Sequence, residues 1–182
     1  MSIFLLIVSI LLWMASIGSL FTRPFYSPAL AFIGLFCFSF CNTDGVSWLP
    51  INNNMLISWL CITVVVMLAT MLQSARVRSQ VRGMGYLLGG AVVGLAIGLL
   101  GFTVASSISM LYGIMIIAVA VGAFFGFLLY SNTPAGRGVE LSSGNFFTYL
   151  LAKGFPVAVT VMQIGLVFVL LIAGYTPDDA QI

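Results

Sequence analysis

The chain reads as an all-α, polytopic integral membrane protein with six transmembrane helices and both termini on the non-cytoplasmic side. Three observations carry this reading. Apolar residues make up 62% of the chain and charged residues 5%, against about 25% charged in soluble domains. Six apolar runs follow one another, each near the ~17–25 residues that cross a bilayer as a helix. All six basic residues fall in three alternate connections. Arg23 is in the first, Arg76, Arg78 and Arg82 in the second, and Arg137 and Lys153 in the third, while Asp44, Asp178 and Asp179 fall on the opposite side. Lys and Arg are held in the cytoplasm during insertion, so this asymmetry sets orientation as well as span number.

The first span is expected over 3–21. It ends at Thr22-Arg23-Pro24, where proline stops the helix and arginine meets headgroups. With no basic n-region and no small-residue cleavage site, it is expected to be a retained span and not a signal peptide. The second span, 25–41, carries Pro28 in its first turn, where a missing N–H costs nothing. Residues 42–54 then bring Asp44, Gly45, Pro50 and three consecutive asparagines, which is turn chemistry. Trp48 suits an interfacial anchor.

The third span is expected over 55–72. Its β-branched residues do not oppose a helix in lipid, where an unpaired backbone costs more than propensity. A basic loop, 73–86, leads to the glycine-rich fourth span, 87–104. A short polar turn joins it to the fifth, 110–130. In the long connection 131–154, residues 146–153 are apolar with a terminal lysine and are expected to lie flat in the interface. The sixth span, 155–174, begins with Pro156. The whole of 1–182 forms one transmembrane domain in this reading. A count of five spans would place basic loops on both sides. A three-plus-three inverted repeat finds no residue pattern shared by the halves.

Within the membrane the glycines stand out. Gly90, Gly94 and Gly98 recur every four residues on the fourth span, and Ala118, Gly122 and Gly126 do so on the fifth. Residues four apart share a helix face. Small residues there let backbones approach closely, a glycine-zipper type of packing. The short turn makes these spans antiparallel neighbours. The pattern is read as a close-packed hairpin, with subunit contact or a gating bend as the alternatives. Gly85 and Gly89 form an adjacent row.

Arg76, Arg78, Arg82, Arg137 and Lys153 form a basic face suited to anionic lipid or to an acidic partner, at about 1 kcal/mol per basic residue near an anionic surface. Gln163 is the strongly polar side chain deep in a span, about 12 Å along its helix. An amide in hydrocarbon needs partners, so it is expected to face other helices, with Thr160 nearby, as interhelical glue or as a lumen contact. Cys37, Cys41 and Cys61 are read as ordinary buried hydrophobes. A soft-metal trio is the alternative, and it has no histidine or carboxylate to complete it.

The chain contains no histidine, which removes Ser-His-Asp and Cys-His chemistry. Asp44 and Glu140 are on opposite sides and cannot act as a pair. No ionisable residue is expected at membrane depth, which argues against a proton- or cation-driven pump working alone. The expectation is a non-enzymatic subunit of a larger membrane complex, without metal or cofactor. Its partners are membrane lipids and other subunits or copies of itself, not nucleic acid. The alternative is a small oligomeric channel or facilitator for a neutral solute or lipid. The site is a cell membrane, by default a bacterial inner membrane, with an organelle membrane as the other option.

Overall fold

The structure is a computed structural model that describes residues 2–43, 46–47, 53–73, 83–100, 108–136 and 148–174. The six apolar runs are helices: α1 (Ser2–Thr22), α2 (Ser27–Ser39), α3 (Asn53–Met71), α4 (Met84–Leu100), α5 (Ile108–Ser131) and α6 (Phe155–Gly174). Four apolar stretches, Ile3–Thr22, Asn53–Met71, Tyr112–Ser131 and Leu150–Phe168, are long enough to cross a membrane. The chain is therefore a multi-pass membrane protein. Pro24–Ser39 and Met84–Leu100 are shorter apolar helices. At 1.5 Å per residue the 17 residues of α4 extend about 25 Å, somewhat less than the ~30 Å hydrocarbon core.

Local sequence explains the joints. Arg23 ends α1, and Pro24–Tyr26 form one 3₁₀ turn before α2 starts, with Pro28 in its first turn. The fixed φ of proline suits both places. The 42–54 connection contains a short antiparallel β-pair, Asn42–Thr43 with Val46–Ser47, in the register Asn42↔Ser47 and Thr43↔Val46.

Residues Leu150–Gly154 form a π-helical turn that runs directly into α6. Pro156 offers no N–H to Ala152, and its ring crowds that carbonyl, so the turn widens. This corrects the expected flat interfacial segment. Tyr149, Ala152, Lys153 and Gly154 are buried, so the described end of that segment enters the bundle instead of lying on its surface.

α6 is the central helix. Seventy-eight per cent of Leu150–Phe168 is buried, against 28% or less for the other three long stretches. One core cluster joins α4, α5 and α6 through Leu87, Ala91, Val119, Phe127, Val157 and Val161. A second joins α2, α3 and α6 through Leu35, Phe38, Trp59, Val66, Leu166 and Val167. The outward faces are apolar, for example Ile3, Leu11, Val65, Ile117 and Leu129, as lipid-facing surface should be.

Candidate functional site

The small residues of α4 and α5 meet across one interface. A Cβ built on Gly90 would overlap the Gly122 carbonyl oxygen, and one on Gly122 would overlap that of Gly90. Gly94 lies in the same way against the Ala118 carbonyl and Gly126 against the Tyr86 carbonyl. Gly98 faces Met115, whose Cα would lie 3.0 Å from an added Cβ, and the Ala118 methyl at 3.2 Å. The backbones touch, and no side chain larger than hydrogen fits at Gly90, Gly94, Gly122 or Gly126 without moving backbone, while Gly98 is tightly packed. Thus Gly90, Gly94, Gly98, Ala118, Gly122 and Gly126 are brought together.

The same backbones form the floor of an outward groove of about 580 Å³, walled by Val93, Ile97, Phe125 and Leu129. Gly85 and Gly89 also line it, and nothing lies within 4 Å of a Cβ built on either. One glycine row is used between α4 and α5; the adjacent row is open.

On the other side of the bundle, buried polar side chains join the apolar contacts to α6. Ser16, Ser27, Thr63, Thr160 and Gln163 are all buried. The Ser16 hydroxyl donates to the Ser27 carbonyl (2.8 Å), and the Ser27 hydroxyl lies 2.9 Å from the Ser16 carbonyl and 2.8 Å from the Thr160 hydroxyl. Gln163 donates from Nε2 to Thr63 Oγ1 at 2.7 Å, and Thr63 in turn donates to the Trp59 carbonyl at 2.7 Å. Gln163 thus faces protein, as the cost of an unpaired amide requires. Thr160 serves α2 and Gln163 serves α3, so the two do not form one site. The Gln163 Oε1 has no partner, and neither do Trp13 Nε1 or the Tyr112 hydroxyl.

Lys153 does not lie on a docking surface; this is a second correction. It is fully buried, with Nζ 4.5 Å from the centre of the Tyr149 ring. Tyr149 packs on Phe127 (5.2 Å between centroids) and on Tyr130 (6.1 Å), and Tyr130 on Tyr86 (5.9 Å). Gly83, at φ +82°, closes this nest: a Cβ there would lie 2.6 Å from the Tyr149 hydroxyl and 2.7 Å from the Tyr130 ring. Burial, and secondarily Tyr130, push the Tyr149 phenol well above its ordinary pKa, so it stays protonated. The face of the Tyr149 ring shelters the lysine ammonium. Arg76, Arg78, Arg82 and Arg137 lie outside the described residues.

Cys41 is buried, Cys37 half-buried and Cys61 exposed. No group of three Cys, His, Asp or Glu side chains gathers among the described residues. Sequence reasoning missed Ser16, Ser27 and Thr63. Their hydroxyls were visible inside apolar runs, but nothing local distinguishes a hydroxyl that bonds across helices from one that bonds its own i−4 carbonyl. Comparison with protein-family models, curated proteins and solved structures finds no match to this chain.

Proposed function

We propose that this chain is a non-enzymatic integral subunit of a larger membrane complex, and that a partner helix seats in the α4–α5 groove. The observation that supports this is the open row. Gly85 and Gly89 border a groove of about 580 Å³ with nothing within 4 Å of either added Cβ. Small residues favour helix association in lipid because close backbones gain packing energy that a uniform apolar face does not. In this reading α2 and α4 also cross the bilayer, giving six spans with both termini outside and the arginine-bearing connections in the cytoplasm. A reporter that works only on the non-cytoplasmic side should be active when fused after Ile182. Activity of a cytoplasm-only reporter there would overturn the topology.

Purification in mild detergent followed by native mass spectrometry tests the subunit reading. A foreign chain should co-elute in fixed ratio. Gly89→Leu should reduce its recovery at least severalfold while leaving the chain's own melting temperature within a few degrees of wild type. A homogeneous monomer or homo-oligomer would contradict the proposal.

A further inference from the structure

A second, smaller groove, about 210 Å³, lies where α3, α5 and α6 meet. Three methionines line it, one from each helix: Met55, Met115 and Met162. Each shares its helix face with a further lining residue three or four positions away, Met55 with Trp59, Met115 with Tyr112 and Met162 with Leu166. Packing ties the three together. Met55, Tyr112 and Met162 pack on the cluster that holds Trp59 and Leu166, and Tyr112 also packs on Met115.

The chemistry this groove offers is narrow. Among the described residues, no charged side chain, histidine or cysteine lines it. Its side-chain oxygens are the hydroxyls of Tyr112 and Ser58, and Ser58 already donates to the Asn54 carbonyl at 2.8 Å. Mg²⁺ and Ca²⁺ need several oxygens, and Zn²⁺ takes thiolate, imidazole or carboxylate. The thioether sulfur is soft and neutral, and soft sulfur ligands select Cu(I). Neutral ligands leave the ion its charge, and a monovalent ion brings the least charge into an apolar wall. Trp59 and Tyr112 line the same wall, and an aromatic face attracts a cation within about 6 Å. Methionine is unbranched with three rotatable bonds, so its sulfur can swing while the backbone stays in place. Gly98 makes room for Met115, since a Cβ there would lie 3.3 Å from Met115 Cγ.

We infer that Met55, Met115 and Met162 form a site for one Cu(I) ion, held by thioether sulfurs from three helices in the α3–α5–α6 groove. The site goes beyond the subunit reading and does not rest on it, since binding is a property of the chain alone. It is also separate from the α4–α5 groove in which the partner helix is placed.

The test is a Cu(I) titration of the purified full-length protein in detergent, under a thiol-free reductant, with a chromogenic Cu(I) chelator as competitor. Cys37, Cys41 and Cys61 are soft ligands too, so the decisive result is a difference. Wild type should bind one Cu(I) per chain more than the triple variant Met55→Leu, Met115→Leu, Met162→Leu. Leucine and methionine are close in volume, and such exchanges are well tolerated in cores. Each single substitution should weaken this site at least about tenfold, the least that loss of even an outer-shell partner typically costs a metal site. Met14→Leu, exposed on α1, should leave it unchanged. If the triple variant does not fold, the single variants against Met14→Leu still decide. Equal stoichiometry in wild type and the folded triple variant, or single variants that match Met14→Leu, would mean that these methionines only fill space and would overturn the inference.

Discussion

The α4–α5 hairpin and the α1–α2–α3 side of the bundle show two ways of holding helices together in lipid. In the hairpin the described glycines bring backbone against backbone, with Gly90 on Gly122 and Gly94 on Ala118. On the other side, helices keep their side chains and add buried hydrogen bonds, Ser16 to Ser27, Ser27 to Thr160 and Gln163 to Thr63. Lipid tails are as apolar as leucine, so apolar burial alone gives no preference for helix over lipid. The hairpin gains from close packing of many atoms, and the polar side from a few directional bonds. The first should tolerate no added atom, and the second should tolerate loss of one bond. Gly34 shows that the division is not absolute. It lets Trp13 of α1 cross α2, with an added Cβ lying 2.5 Å from the indole nitrogen.

The largest effect should come from the hairpin. Gly94→Leu and Gly122→Leu should abolish folding or assembly, because an isobutyl group must displace backbone and not a movable side chain. Wild-type yield and elution of both variants would break the comparison. Next in size, Gly34→Leu should lower stability by more than about 2 kcal/mol by driving the Trp13 indole out of its place. Unfolding in mild detergent measures it, and a neutral result would remove steric packing from the α1–α2 account.

Smaller effects belong to the hydrogen bonds. Thr63→Val should cost about 0.6 kcal/mol and no more than about 1.7, the average and the maximum for interhelical bonds within membranes. Gln163→Leu should cost less than about 1 kcal/mol. The leucine fills similar space and removes an amide whose oxygen is unpartnered, and exchanging an incompletely paired polar group for an apolar one is close to neutral. A loss above about 3 kcal/mol would mean that Gln163 holds more than Thr63. The smallest effect should be at the open row. Gly85→Ala should change stability by no more than about 0.5 kcal/mol, since nothing lies within 4 Å of the added methyl.

Much of this frame was legible in the sequence. The expected sixth span, 155–174, coincides with α6 (Phe155–Gly174), because Pro156 and the apolar run define it locally. The α4–α5 contact was legible because a four-residue repeat on two helices joined by a short turn leaves few ways to pair them. The partners of Gln163 were not. Thr63 is 100 residues away, and periodicity says which face an amide occupies but not which hydroxyl crosses to it. Lys153 was misplaced because a lysine at a helix end reads as an interface anchor. It is buried with Nζ over the Tyr149 ring, which packs on Tyr130 of another helix. A local clue did exist: Tyr149 precedes Lys153 by one helical turn. The β-pair flanking Asp44-Gly45 also had a signal, since Asp-Gly is a favoured two-residue hairpin connection.

The contrast between the two sides is tested most directly by two minimal substitutions in one background. Gly122→Ala adds one methyl group where it meets the Gly90 carbonyl. Ser27→Ala removes one oxygen that contacts Ser16 and Thr160. Their melting temperatures in the same detergent should differ clearly, with Gly122→Ala the less stable by at least about 1 kcal/mol. An equal or reversed order would contradict the account.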